Sequence, residues 1–290
     1  MNNIYSTREF TVSYGCVDGV ELLADISLPE IENRTPVILG IHGGRWLYGD
    51  RNKEQCMNIM AWSRKGYAAM SIDYRLLTCA PAPACLSDVF CAIRFIHSKA
   101  DVYNFDINKI YLYGMSAGAH LAAMAAVIGP NENSSLIPKV GGSENYSSDF
   151  KASICLSGAY DLTKLDWGEA WNVPGLENNI AREFYSPIKH ITENTKPILI
   201  VHSENDSSVP FQQALEMIKK LKEKNNDFKR LLFSNFGHVL LNHPLAEKIA
   251  QSYIELLESE NTSNGVDFFK KLEDVNNSNK LLVIKASKKT

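Results

Sequence analysis

The sequence lacks any apolar run long enough to cross a membrane, because a membrane-spanning helix needs about 20 consecutive apolar residues. It also lacks a secretion signal, since residues 1–9 read MNNIYSTRE and have neither the basic start nor the apolar core of such a signal. We therefore expect a soluble, cytoplasmic protein that does not bind a membrane.

Cysteine is scarce and is not arranged for metal binding. The six cysteines form no CxxC pair and have no metal-ligand spacing with nearby histidines. Most of them lie in apolar surroundings, which favours buried free thiols. Cys79 and Cys85 flank residues 80–84 and are the one candidate pair for a disulfide bond, which a cytoplasmic setting disfavours. We expect no metal site.

An excess of charge of one sign is absent as well. The formal net charge is −3, and no basic patch stands out. Nothing therefore predicts nucleic acid or an anionic membrane as a partner. Hydrophobic residues make up 45% of the sequence, which is enough for a sizeable core in a globular protein.

Short apolar runs alternate with helical patterns along most of the chain. Residues 9–14 and 20–28 predict an antiparallel hairpin, and the continuous apolar run 37–41 predicts a strand buried on both faces. Further strands are predicted at residues 67–72, 109–113, 152–156, 197–202 and 230–233, and helices at residues 54–65, 86–99, 117–127, 211–224 and 244–257. This alternation indicates an α/β fold, with a mostly parallel central sheet flanked by helices.

We expect residues 1–260 to form one catalytic domain. Two stretches interrupt its alternation: the turn-rich residues 129–150, and residues 163–195, which are expected to form a small cap over the sheet. The second stretch contains Trp167, Trp171, Pro174 and Gly175. Residues 261–290 are a C-terminal extension of unknown role, whose apolar pieces at 268–269 and 281–284 suggest that it docks on the domain.

The most informative motif is the pentapeptide Gly114-Met115-Ser116-Ala117-Gly118. It follows a predicted strand and precedes a predicted helix, a context in which a serine is held on a strained turn with its hydroxyl exposed. Glycine is expected two residues on either side of Ser116 because such a tight turn leaves no room for Cβ atoms. The alternative is a glycine-rich turn that contains a serine by chance. We favour Ser116 as a nucleophile.

A serine nucleophile needs a base, and the base needs an orienting acid. Asp206 follows the predicted strand 197–202, and the carboxyl ends of strands are where α/β sheets place their sites. Glu204 is a rival acid and Asp161 is a weaker one. His238 follows the next strand and precedes the last predicted helix, so we assign it as the base. The alternative for Asp206 is a helix cap or a solvated loop residue.

The sequence His42-Gly43-Gly44-Arg45-Trp46 follows the buried strand 37–41. Glycines let a loop approach a substrate closely, and main-chain N–H groups usually stabilise the oxyanion that forms during ester cleavage. We predict that the N–H groups of Gly44, Arg45 and Ala117 form the oxyanion hole. Arg45 is expected to lie on the surface or to pair with an acid such as Asp50; contact with a substrate carboxylate is the alternative.

On these motifs the chain resembles the α/β-hydrolase superfamily. Within it, the chain resembles the esterases with an HGG-type oxyanion loop, a group related to hormone-sensitive lipase, bacterial feruloyl and acetyl esterases, and kynurenine formamidase. The resemblance covers about residues 18–258. The other matching positions are Asp73-Tyr74-Arg75-Leu76, Asp88, Ser157-Gly158, Asp206 with Val209-Pro210, and Gly237-His238.

The resemblance implies a serine carboxylic-ester hydrolase that acts on a small-molecule ester without a cofactor. It also implies short acyl chains, from acetyl to butyryl, with feruloyl esters as another class. Asp73 and Arg75 are expected to support the oxyanion loop. One departure is Arg45, which stands where many relatives have a third glycine. The alternatives are a formamidase of the kynurenine type, a peptidase, and a binding protein without catalytic activity. Oligomeric state is not predicted.

Overall fold

The computed structural model describes residues 4–131, 136, 139–172, 177–259, 263–278 and 281–283. Pro174 and Gly175 of the predicted cap, parts of the 129–150 stretch and most of the last ten residues lie outside this description. In the described part of the chain, no helix is both long and apolar enough to cross a membrane.

Eight strands form one sheet: β1 (Thr7–Val17), β2 (Val20–Pro29), β3 (Thr35–Ile41), β4 (Ala68–Ile72), β5 (Phe105–Met115), β6 (Ala152–Leu156), β7 (Ile198–Ser203) and β8 (Phe228–Phe233). Their order across the sheet is β1-β2-β4-β3-β5-β6-β7-β8. The hairpin β1–β2 is antiparallel and joins β4 in antiparallel register, whereas all pairs from β4 to β8 are parallel. The mostly parallel α/β sheet expected from the sequence is therefore confirmed.

Helices cover both faces of the sheet. They are α1 (Ile59–Ser63), α2 (Ala84–Ser98), α3 (Ala100–Tyr103), α4 (Ala117–Ile128), α5 (Asn178–Phe184), α6 (Gln212–Glu223), α7 (Pro244–Glu258) and α8 (Asn264–Asn277). Alternate residues of the central strand β3 point to opposite faces of the sheet. Val37, Leu39 and Ile41 belong to the apolar cluster on one face, and Ile38 belongs to the cluster on the other face. This alternation is why the continuous apolar run forms a strand that is buried on both faces.

The predicted helix 54–65 was too long. Only α1 is helical, because Asn58 caps its start: the side-chain Oδ1 of Asn58 accepts a hydrogen bond of 3.1 Å from the main-chain N–H of Ala61. Asparagine favours such a cap over a position inside a helix. The segment before Asn58 forms turns instead.

The described part of the C-terminal extension docks on the domain. Helix α8 packs on α7, where the buried Phe269 lies with its ring centroid 5.7 Å from that of Tyr253. Beyond it, the main-chain N–H of Leu282 donates to Leu232 O at 2.9 Å, and Leu282 forms a parallel bridge with Phe233. The extension thus covers the edge of the sheet at β8.

The site lies where the strand order reverses. Strand β3 has β4 on one side and β5 on the other, so the loops that follow β3 and β5 diverge at the carboxyl edge of the sheet. Such a crevice is the usual binding place in an open α/β sheet. The segment after β6 contains short 3-10 helices at Leu162–Lys164, Asp166–Trp171 and Pro187–Lys189 together with α5. Trp167 and Trp171 of this segment contact the loop after β3.

The six cysteines are all free thiols. Cys79 is exposed and Cys85 is buried, so the candidate disulfide bond between them is not formed. Burial raises the pKa of Cys56 to about 12, which keeps this thiol protonated at neutral pH.

Candidate active site

Ser116 sits on the turn between β5 and α4. Its backbone has φ 53° and ψ −117°, a combination that non-glycine residues rarely adopt and that costs on the order of 1–3 kcal/mol. The turn is held on both sides: the N–H of Ser116 donates to Leu156 O at 2.9 Å, and its carbonyl accepts from the N–H of His120 at 3.0 Å. Strain of this kind, retained by its surroundings, is typical of a nucleophile held on an elbow.

The two glycines of the pentapeptide are required by space. A Cβ at Gly114 would lie 2.3 Å from Gly118 O, and one at Gly118 would lie 2.0 Å from Ile41 O. Both distances are far below van der Waals contact, so no larger residue fits at either position. The steric reason expected from the sequence is therefore present in the structure.

The loops after β7 and β8 bring Asp206 and His238 together. The Nδ1 of His238 lies 3.0 Å from Oδ1 and 2.9 Å from Oδ2 of Asp206. A carboxylate oxygen accepts, so this geometry places the proton of a neutral His238 on Nδ1 and leaves Nε2 as an acceptor. The two residues are 32 positions apart but follow neighbouring parallel strands.

Asp206 is buried and well supplied with donors. Its Oδ1 also accepts from the main-chain N–H groups of Ser208 and Val209, each at 2.9 Å. Burial acts to raise the pKa of Asp206, but the hydrogen bonds from His238 and Val209 outweigh it and hold the pKa below its usual value. This carboxylate is therefore ionised at neutral pH.

The rival acids have other surroundings. Glu204 is exposed, and its side chain makes no hydrogen bond in the described part of the chain. Asp161 accepts from the N–H and hydroxyl of Thr163 and so caps the short helix that follows it. The structure thus brings Asp206, and neither rival, to His238.

The loop after β3 reaches Ser116 through Gly43. A Cβ on Gly43 would lie 3.3 Å from the Cβ of Ser116. Among the hydrogen bonds of the described residues, none is donated by the main-chain N–H of Gly44, Arg45 or Ala117, the predicted oxyanion donors, nor by that of Gly43. These four N–H groups thus have no acceptor among the described residues. The N–H of Gly43 is a further candidate that the motif alone did not single out.

The Asp73-Tyr74-Arg75 element contacts the loop after β3. The hydroxyl of Tyr74 donates to the carbonyls of His42 and Gly43, at 3.1 Å each, and its ring stacks on that of His42. Asp73 accepts from the main-chain N–H and the guanidinium of Arg51. The guanidinium of Arg75 binds both carboxylate oxygens of Asp88, the helix residue expected from the motif. The direct contact with the loop is thus made by Tyr74, whereas Asp73 and Arg75, the residues expected to support it, bind Arg51 and Asp88.

Aromatic side chains fill the space beside the elbow. The rings of Trp46, His120 and Trp171 are all fully buried, and their centroids are 4.8 to 5.4 Å apart. His120 lies one turn of α4 after Ser116, and its Nε2 pairs with Tyr185 O at 2.7 Å. Burial lowers the pKa of His120 to about 4, so it is neutral at ordinary pH. Trp171 belongs to the expected cap, but no sequence pattern predicts its contact with His120 and Trp46.

Arg45 is exposed, and its guanidinium lies over the ring of Trp167, 5.3 Å from the centroid. Arg45 does not pair with Asp50, which instead accepts from the main-chain N–H of Asn52 and from the side chain of Gln55. Of the two expectations, the surface position is the one found.

The BD-FAE family model matches residues 24–221, which is more than half of the chain. The chain belongs to the BD-FAE family. A second model, that of the dienelactone hydrolase family, matches residues 178–272. The two matches together span the loops of Ser116, Asp206 and His238.

Curated relatives of this BD-FAE family protein carry esterase names. It is 28% identical to Esterase LipC of Mycobacterium tuberculosis over 64% of this chain and 48% of that protein. It is 26% identical to the probable isoprenylcysteine alpha-carbonyl methylesterase ICME of Oryza sativa over 81% of this chain and 61% of that protein. The chain thus spans about half the length of the first of these relatives.

Solved structures share the fold. A carbohydrate esterase from gut microbiota, in truncated form, covers 94% of this chain with a TM-score of 0.68 at 22% identity, and this chain covers 99% of it. The Thermogutta terrifontis esterase Est2 with bound propionate has a TM-score of 0.69 at 26% identity, over 85% of this chain and 91% of that one. The α/β-hydrolase fold of this BD-FAE family protein is therefore confirmed.

Proposed function

We propose that this protein is a serine carboxylic-ester hydrolase whose nucleophile is Ser116, whose base is His238 and whose orienting acid is Asp206. The observations that carry the proposal are the contact of His238 Nδ1 with both oxygens of Asp206, at 2.9 and 3.0 Å, and the strained backbone of an elbow at Ser116. The names of the relatives LipC, an esterase, and LipM, a probable carboxylic ester hydrolase, support it.

The reaction proceeds by acyl transfer. Ser116 Oγ attacks the ester carbonyl carbon while its proton passes to His238 Nε2, and Asp206 stabilises the imidazolium that forms. The carbonyl oxygen becomes an oxyanion that accepts hydrogen bonds from free N–H groups at Gly44, Arg45 and Ala117. When the carbon–oxygen ester bond breaks, His238 gives its proton to the leaving alkoxide, and an alcohol departs.

Water then completes the cycle. A water molecule loses a proton to His238 and attacks the acyl-enzyme carbonyl, and the second tetrahedral intermediate breaks its bond to Ser116 Oγ, which regains the proton. The products are a carboxylic acid and free enzyme. The helix α4 that starts at Ala117 adds its dipole, since a helix N-terminus favours negative charge.

We propose short acyl groups, from acetyl to butyryl, as the preferred substrates. The buried indoles of Trp46 and Trp171 occupy the space beside His120, one turn after the nucleophile. The Thermogutta terrifontis esterase Est2 is described with propionate bound, which supports a small acyl pocket in this fold. Feruloyl esters are the alternative class of substrate.

The test measures turnover of 4-nitrophenyl esters of increasing acyl length, with N-formyl-kynurenine assayed in parallel. We expect turnover that falls beyond butyrate, and a loss of at least about 10³-fold in kcat for Ser116→Ala. Ser13→Ala, an exposed serine of β1, is the matched control. Rapid formamide cleavage with negligible ester turnover, or an unchanged rate for Ser116→Ala, would overturn the proposal.

A covalent label gives an independent measurement. Esterase 2 of Thermogutta terrifontis is described as phosphorylated by paraoxon. We expect paraoxon to inactivate this protein with one phosphoryl group on the peptide that contains Ser116, and no labelling of Ser116→Ala. A label on another residue would contradict the assignment of the nucleophile.

A further inference from the structure

Arg45 is a cation without an acidic partner in the part of the chain that the structure describes. The guanidinium groups of Arg51, Arg75 and Arg182 each pair with a carboxylate. In the described ranges no Asp or Glu pairs with Arg45, and its contact is with the ring of Trp167. The protein has a net charge of −3, so acids are plentiful elsewhere on its surface. Arg8, Arg64, Arg94 and Arg230 also have no ion pair with a described acid, so the distinctive feature of Arg45 is its place in the loop that reaches Ser116 through Gly43.

The position of Arg45 places it on the solvent side of the site. Gly43, two residues earlier, is the part of this loop that reaches Ser116. Trp46, the next residue, is fully buried against His120, whereas Arg45 is exposed. Trp167, on which the guanidinium lies, also contacts Trp46 at a centroid distance of 5.2 Å. Arg45 and Trp167 therefore form one rim of the aromatic cluster beside the elbow.

Arg45 has a backbone conformation that is unfavourable for a residue with a side chain. Gly44, Arg45 and Trp46 have φ of 101°, 52° and 62°, three left-handed residues in succession. A side chain in this conformation costs roughly 1–2 kcal/mol, whereas glycine adopts it freely. Hydrogen bonds from the N–H groups of Leu47 and Tyr48 to Gly44 O maintain the turn. A glycine would relieve the strain at Arg45, and the presence of arginine there points to a role for its side chain.

We propose that Arg45 and Trp167 form a subsite for a carboxylate, so that the physiological substrate is an ester that also carries a carboxylate group. This inference rests on the proposed esterase function. A guanidinium presents a planar set of N–H donors that matches a carboxylate with two parallel hydrogen bonds. The guanidinium already lies over the ring of Trp167 and has no described carboxylate on its donors, so part of the cost of ordering this side chain is met before a ligand binds.

The experiment compares two matched pairs of esters. The first pair, 4-nitrophenyl hemisuccinate and 4-nitrophenyl butyrate, differs by a carboxylate in the acyl part. The second pair, 3-acetoxybenzoate and 3-acetoxybenzamide, differs by a carboxylate in the alcohol part. The measured quantity is the ratio of kcat/KM for the anionic ester to that for the neutral one. The main-chain N–H at residue 45 serves both esters of a pair, so a change in the oxyanion hole cancels in this ratio.

We expect the ratio for at least one pair to fall about tenfold in Arg45→Gln and to recover in part in Arg45→Lys, as for the loss of a charged hydrogen bond. The pair that responds identifies the side of the ester that carries the carboxylate. Arg8→Gln is the matched control, because Arg8 also lies over an aromatic ring, that of Phe10, at 5.5 Å from the centroid. Added salt should lower the same ratio in the unmodified protein.

The outcomes separate the two proposals. Ester turnover with the same ratios in Arg45→Gln as in the unmodified protein overturns the carboxylate subsite and leaves the esterase function standing. A protein that hydrolyses none of the four esters contradicts the esterase function and the subsite together. An equal fall of the ratio in Arg8→Gln would also contradict the subsite, because the effect would then arise from overall charge.

Discussion

The side-chain Oδ1 of Asn205 accepts a hydrogen bond of 2.8 Å from the main-chain N–H of Gly237, the residue before His238. Its Nδ2 donates to Asn235 Oδ1 at 2.6 Å. Asn205 is also the residue before Asp206. The loop that carries the acid therefore holds the loop that carries the base, and the short contact between Asp206 and His238 depends on both.

We predict that Asn205→Ala lowers kcat about tenfold with little change in KM, because a lost hydrogen bond of about 1–1.5 kcal/mol would let His238 shift relative to Asp206. Asn205→Asp keeps an acceptor for Gly237 and should recover part of kcat. Steady-state kinetics on 4-nitrophenyl acetate measure both. Asn226→Ala is the control, because Asn226 donates to Thr192 O, away from these loops. Equal kcat in Asn205→Ala and the control would show that the hydrogen bonds of Asn205 to the His238 loop do not affect catalysis.

The left-handed conformation at Gly44 leads to a second prediction. A Cβ at this residue would lie 1.8 Å from Tyr48 O, so Gly44→Ala must displace the loop that carries the free N–H groups. We expect kcat/KM to fall about 10²-fold, the effect of losing one oxyanion donor. The measurement is turnover of a short ester at matched protein concentration.

Gly142→Ala is the matched control for this substitution. Gly142 also has a positive φ, 118°, but no atom lies within 4 Å of an added Cβ. It should lose about 1 kcal/mol of stability through backbone strain and keep its turnover. If Gly44→Ala had the turnover of this control, the loop would not contribute to the oxyanion hole.

The strands and the elbow were predictable because their signals are local. The structures of the apolar run 37–41 and of the turn around Ser116 are determined by residues that lie close together in the sequence. Asp206 and His238 were also predictable, since each follows a strand and parallel neighbours end at one edge. The triangle of Trp46, His120 and Trp171 was not, because it joins three segments whose contact depends on the folded chain. The same holds for the partners of Arg45.

Substitution of Trp171, one of these three rings, tests the proposed preference for short acyl chains. We predict that Trp171→Ala shifts the preferred acyl chain beyond butyrate, because removing a fully buried indole opens space beside His120. The substitution should also cost about 3–5 kcal/mol of stability. Trp171→Phe is the milder variant, which is expected to fold and to show a smaller shift in the same direction. The chain-length profile is measured with 4-nitrophenyl esters.

Trp62→Phe provides the control for this profile. Trp62 is as fully buried as Trp171 but belongs to the apolar cluster on the other face of the sheet. Its substitution should lower stability and leave the chain-length profile in place. A profile unchanged in both Trp171 variants would mean that the acyl group binds elsewhere.

His120 makes the stability of the protein depend on pH. Its pKa falls from 6.5 to about 4 because burial disfavours the charged imidazolium. The unfolded chain therefore binds more protons than the folded chain between these two values, so the free energy of unfolding decreases as pH falls through this window. From pH 7 to pH 5 this residue alone should remove about 2 kcal/mol.

Urea unfolding at pH 7 and pH 5, for the unmodified protein and for His120→Gln, measures this contribution. Glutamine still offers an N–H donor for Tyr185 O but does not titrate. We expect the variant to be less stable at pH 7 and to lose about 2 kcal/mol less than the unmodified protein on going to pH 5. The buried His42 and His202 are common to both proteins, so their contributions cancel in this difference. Equal losses in the two proteins would show that His120 takes up its proton in the folded state as readily as in the unfolded chain.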